Sequence, residues 1–185
     1  MKSLQAILLV FIVFAASNGN ATVARYMALS DLWKASDVVV DGAVVEQWTE
    51  APDGLPGLIY THTLIEVKTS LKGHADNYIE LKQVGGTIGK HRLSLSGTPL
   101  FQNGEQIVVF ASLHDDELVY SSVGLAQGVF YHRNTPDGDR LVRNLAGIGF
   151  YGDPIRQFVP LEMPQTFGHL IDELFTATDG DGGKR

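Results

Sequence analysis

The tightest constraint on this chain lies between residues 35 and 86. Three runs rich in Val, Ile, Thr and aromatic residues follow one another there, each bounded by Gly, Pro, Asp or Asn. Such runs predict consecutive strands of one sheet coiling around one core. From Ile59 to Lys68 the period is two. Thr61, Thr63, Ile65 and Val67 share one face, and Tyr60, His62, Leu64, Glu66 and Lys68 the other. The first set is the predicted core face, because Glu66 and Lys68 require water. In the next run, 77–84, Ile79 and Leu81 point inward by the same rule. The first run, from Val38 to Trp48, begins Val-Val-Val, too apolar for a strand with one wet face, so both faces are expected to be covered. Gly42 in mid-run predicts a bulge or a sharp coil. Two Pro and two Gly in 51–57 supply the first turn.

The flanking segments complete the pattern. Leu29, Leu32 and Trp33 form an apolar stripe on a short helix with Ser30 as its expected N-cap and Asp37 as its end. Gln106 to Leu113 is the most apolar run and should be a central strand. Further strands are expected over Glu117–Ser122, Gln127–Arg133 and Arg140–Leu145, with a turn at Asp137-Gly138. Leu145 to Pro160 is Gly-rich and irregular, and Phe167, Leu170, Ile171, Leu174 and Phe175 then fall on one helical face within 164–175. Gly85 to Gly104 is a long connection, expected as an ordered loop over one barrel mouth, with Gly85-Gly86 in a turn needing positive φ. The predicted fold is mainly β: a small OB-like antiparallel barrel with a short N-terminal helix and an amphipathic C-terminal helix.

The N-terminus carries one early Lys, a wholly apolar stretch from Ala6 to Ala16 and a small-residue exit, the pattern of a secretory signal peptide. Cleavage is expected after Ala21 or Ala24; Asn18 and Asn20 interrupt the run before the roughly 20 apolar residues that a membrane span needs. The remainder suits a single domain over 25–177, followed by a polar, Gly-rich tail over 178–185. The chain has no Cys, which excludes a disulfide scaffold and points to a bacterial periplasmic or extracellular product. A formal net charge of −7 with scattered Lys and Arg argues against nucleic-acid binding.

No motif identifies a reaction. The six histidines are dispersed, without His-x-His or His-Glu-x-x-His, and the turn His114-Asp-Asp-Glu117 reads as acidic and solvated. Residues 85–90 imitate a phosphate loop, but Val84 stands where the first Gly belongs and His91 where Ser or Thr is required. There is no Gly-x-Ser-x-Gly, and Ser94 and Ser96 near His91 are ordinary loop serines. Tyr60, Tyr78 and Phe130 could together form an aromatic ligand platform. The sequence therefore reads as a non-enzymatic binding module with no cofactor and no metal, using Lys90, Arg92, Leu95, Leu100 and Phe101 of the long loop to hold a protein partner. The alternative is a hydrolase or metal-dependent enzyme whose site assembles only in space.

Gly85-Gly86, Gly97-Thr-Pro-Leu-Phe101, Gly104-Glu105, Val108-Val-Phe and Gly124-Leu-Ala-Gln-Gly-Val-Phe130 resemble a large group of uncharacterised secreted bacterial proteins. The segment from Ser30 to Gly86 also resembles the netrin-like domain of tissue inhibitors of metalloproteinases. That resemblance implies an OB-type barrel with packed terminal helices and, as partner, a secreted protease. It does not extend to the inhibitory mechanism, which uses an N-terminal Cys that this chain lacks.

Overall fold

The structure, a computed structural model, describes residues 22–114, 116–136, 138–151 and 166–179, without the side chains of 175–179. Residues 1–21 of the predicted leader and most of the predicted tail lie outside the described residues. In chain order the elements are β1 (Thr22–Arg25), α1 (Leu29–Ala35), β2 (Val38–Glu50), β3 (Tyr60–Lys72), β4 (Tyr78–Val84), β5 (Gly86–Ile88) and β6 (His91–Leu93). Then come β7 (Gln106–His114), β8 (Val119–Ser122), a 3-10 turn at Leu125–Gly128, β9 (Val129–Thr135), β10 (Gly138–Val142), β11 (Ile148–Tyr151) and α2 (Phe167–Asp179).

The main sheet has the order β10-β9-β7-β2-β3-β4-β8, and β8 also pairs with β7, so the sheet is partly ringed. The β4–β8 contact is a single parallel pair, Leu81 with Tyr120, whereas the β7–β8 ladder is antiparallel from Ala111↔Ser122 to His114↔Val119. Two cores lie on opposite faces of the central strands. Val38, Val40, Val44, Ile65, Ile79, Leu81, Ile107 and Val109 form one. Val39, Val108, Phe110, Phe130 and Leu141 form the other with Leu29 and Leu32 of α1 and Leu170 and Leu174 of α2. That division explains the Val-Val-Val run: alternate valines enter different cores, and all three are at most 3% exposed.

The expected bulge is present, as the β2–β3 register shifts between Asp41 and Gly42. A second shift follows: Val44 pairs with Ile65 and Glu46 with Leu64, so Val45 is skipped. That extra residue reverses the alternation, and Glu46, Trp48 and Glu50 come to the side of β3 that carries Leu64, His62 and Tyr60.

Some sequence expectations are corrected. The α1 N-cap is Ala28, with no side-chain cap bond; Ser30 is already helical, and the helix ends one turn-residue before Asp37, whose carboxylate instead accepts the Leu113 N–H at 2.8 Å. Glu117 and Leu118 belong to a turn, and β8 starts only at Val119. The run from Gln127 opens with the 3-10 turn before β9. β10 ends at Val142 rather than Leu145. The Gly-rich stretch after Leu145 contains β11, which pairs in parallel with β1, a strand the sequence did not announce. Both strands are four residues long and lie more than a hundred residues apart in the chain, so no local periodicity marks them. The predicted irregular loop holds a small hairpin, β5–β6.

Candidate functional site

The hairpin is fastened to the sheet by its first residues. Gly85 and Gly86 have φ of 122° and 138°, a region that L side chains rarely enter. The Gly85 N–H donates to Ile59 O at 2.8 Å, and the Thr61 hydroxyl donates to Gly85 O at 2.7 Å. A Cβ on Gly86 would lie 2.7 Å from Thr61 Oγ1 and 2.9 Å from Thr49 Cγ2, so glycine there permits close approach to β2 and β3. Lys90 occupies the hairpin turn and Arg92 the returning strand, both exposed.

Beyond β6 the chain runs back across the sheet. Leu95 is 44% exposed and Leu100 79%. Phe101, predicted to meet a partner, is instead a core residue at 8% exposure, tilted against Tyr131 with ring centroids 6.3 Å apart. The two neighbours part company: Leu100 stays in solvent while Phe101 enters the core. The backbone here is held at two carbonyls: Tyr131 Oη donates to Leu100 O at 3.0 Å and Gln47 Nε2 to Phe101 O at 3.1 Å. Burial pushes the Tyr131 phenol well above its ordinary pKa. Arg92, Leu95, Pro99 and Leu100 border a cleft of about 200 Å³ floored by Gln47 and Thr61.

On the other side of Leu95 a cleft of about 320 Å³ opens between β4 and β8, lined by Tyr60, Lys82, His114, Glu117, Ser121 and Leu125 among others. The Lys82 ammonium bonds the Glu117 carboxylate and lies 4.5 Å above the Tyr60 ring. That hydrogen bond raises the Lys82 pKa and lowers that of Glu117. His114 Nε2 is 2.8 Å from Ser121 Oγ, which invites comparison with a nucleophile and its base. The Ser121 hydroxyl also reaches Lys82 O at 3.2 Å, so it bridges the imidazole and the β4 backbone, and the direction of the His114 bond follows the ring tautomer.

Two histidines missed as special are each held by two carboxylates. His62, on the predicted water face of β3, is 5% exposed beneath Trp48, which stacks on it at 5.1 Å and 11°. Its Nδ1 lies 2.6 Å from Glu80 Oε1. Its buried Nε2 is 3.2 Å from Glu50 Oε2 but out of line for a hydrogen bond. His132 on β9 has Nδ1 2.6 Å from Asp139 Oδ2 on β10 and Nε2 3.2 Å from Asp41 Oδ1 on β2, with the Phe167 ring of α2 at 6.1 Å. No sequence signal marked either, since the partners come from different strands. The bonds to Asp41 and then Asp139 raise the His132 pKa above its usual 6.5, outweighing burial. Its charged form is thus favoured in the folded state, a contribution complete below about 6.5 and lost as pH rises through the higher folded value. Urea midpoints of wild type and His132→Gln should therefore converge as pH is raised from 6 into the alkaline range; a constant gap would refute the clamp.

Tyr60, Tyr78 and Phe130 do not form an aromatic platform, because Phe130 is 1% exposed and packs on Phe110 in the second core. Tyr60 and Tyr78 remain at the surface of the sheet. Among the described residues no group of three or more His, Asp or Glu side chains could hold a metal ion, and no helix is long and apolar enough to cross a membrane. Comparison with protein families, curated proteins and solved structures gave no match.

Proposed function

We propose that the protein is an exported, non-enzymatic binding module, in which an OB-like barrel presents the segment from Gly85 to Gly104 to a secreted protein. The observation that carries this reading is Leu100, 79% exposed on backbone held by two sheet side chains, beside half-exposed Leu95 and exposed Arg92. Loops held on rigid strands are favoured places for recognition. Apolar side chains give area to bury, while Lys90 and Arg92 steer an acidic surface on the partner. A secreted protease is the partner class that the netrin-like resemblance implies. The Ser121 hydroxyl, shared between His114 and the Lys82 backbone carbonyl, is read as a structural bridge, and on that reading binding is placed ahead of hydrolysis.

The experiment is capture from the native exported fraction. Lys90→Ala with Arg92→Ala should keep the unfolding midpoint and weaken partner capture about tenfold, a loss concentrated at low salt. Undiminished capture would show that the segment only closes the sheet.

Export itself has a sharper form. Cleavage after Ala24 would remove three of the four residues of β1, including Thr22, whose hydroxyl donates to Ser96 O at 2.5 Å. Cleavage after Ala21 leaves that strand whole. The intact mass of the exported protein should therefore correspond to a chain beginning at Thr22, and a mass beginning at Arg25 would contradict it.

A further inference from the structure

The outer face of β2–β3–β4 forms an ordered grid. Glu50, Tyr60 and Val84 lie opposite one another across the three strands, as do Trp48, His62 and Lys82, and then Glu46, Leu64 and Glu80; Glu66 faces Tyr78 at the next position. The skipped Val45 is what brings Glu46, Trp48 and Glu50 to this side. Four carboxylates share the face with a single ammonium, Lys82, already neutralised by Glu117. Lys68, next along β3, is turned away to bond Gln106. Trp48 is 38% exposed and Tyr78 51%. Beneath Trp48, His62, 95% buried, holds Glu80 by hydrogen bond and aims its unbonded Nε2 toward Glu50.

We infer that this face is a recognition surface for an extended basic segment of another polypeptide. Carboxylates alone would attract cations without placing them. Here they alternate with aromatic rings, which bind ammonium and guanidinium groups over their faces. Lys82 shows the arrangement within the molecule: its ammonium sits over Tyr60 and bonds Glu117. Trp48 beside Glu46 and Glu50 offers the same pair of features to a cation from outside. Glu46, Trp48 and Glu50 recur at every second residue along β2, about 7 Å apart, which is the spacing of alternate side chains on an extended peptide. The surface is separate from Lys90 and Arg92 and opposite in charge, so it stands whether or not that segment binds.

A peptide of four Lys-Ser repeats is the probe, read by the fluorescence of Trp48 in a Trp33→Phe background and by calorimetry at low salt. It should bind, while the matching Glu-Ser peptide should not. Glu46→Gln with Glu50→Gln should weaken binding at least tenfold, and Trp48→Ala severalfold with the charge unchanged. Asp31→Asn with Glu173→Gln, on the two helices, removes the same charge and should leave affinity within twofold; Lys90→Ala with Arg92→Ala should not reduce it. Equal loss in the helix variant would mean unspecific attraction to an acidic protein and would overturn the assignment. So would absence of binding by the folded wild type, or Trp48 fluorescence that does not respond to bound peptide.

Discussion

Leu174→Asp should lower the stability of the whole domain by about 4 kcal/mol. Leu174 is 2% exposed and Leu170 fully buried, and both enter the second core with Leu29, Leu32, Phe110 and Leu141. A carboxylate there has two options, each costly. It can remain buried without a partner, or α2 can detach and expose Leu170 and the α1 stripe beneath it. Either route should appear as an early urea midpoint, and the second also as a reduced denaturant slope, since the native state would bury less surface. Glu173→Gln, one residue away and exposed, should shift stability by no more than about 0.5 kcal/mol. If Leu174→Asp leaves the midpoint where it was, α2 contributes nothing to the core.

What was legible in the sequence was periodic. The stripe of α2, the inward Ile79 and Leu81, the doubly covered valines and the apolar β7 all follow from side-chain alternation and the need to exclude water, which operate locally. Gly42 marked a bulge because few other reasons place glycine in a strand of that composition. The elements that escaped notice depend on partners distant in sequence. β1 exists only through β11, and His62 is buried only because Trp48, Glu50 and Glu80 converge on it from two other strands. Alternation assigned His62 correctly to the outer face but could not show that this face covers it. The Val45 bulge had no signature either, as valine is an ordinary strand residue, and yet it decides which way Trp48 points. The segment 85–104 was legible as ordered and anchored, whereas the division of Leu100 from Phe101 required the path of the backbone.

Gly42→Ala should cost roughly 3 kcal/mol, a large effect for one methyl group. A Cβ at this position would drive into the Glu66 carbonyl oxygen and stand 2.8 Å from Ile65 Cγ2. The first obstacle is backbone in the longest ladder of the sheet, so relief requires β2 and β3 to separate or the bulge to move. Gly149→Ala is the comparison: its nearest neighbours are 3.9 Å away, and it should cost less than about 1 kcal/mol. Moving the bulge has a second consequence because Asp41 immediately precedes it and holds His132 Nε2 at 3.2 Å. If Gly42→Ala folds with a displaced bulge, His132 should titrate closer to its ordinary value, as Asp41 is the larger cause of its raised pKa. Calorimetry with histidine NMR on the same sample reads both effects. An alanine variant with wild-type stability and an unmoved His132 titration would show that the close approach of β2 to β3 at Gly42 is not a constraint on this fold.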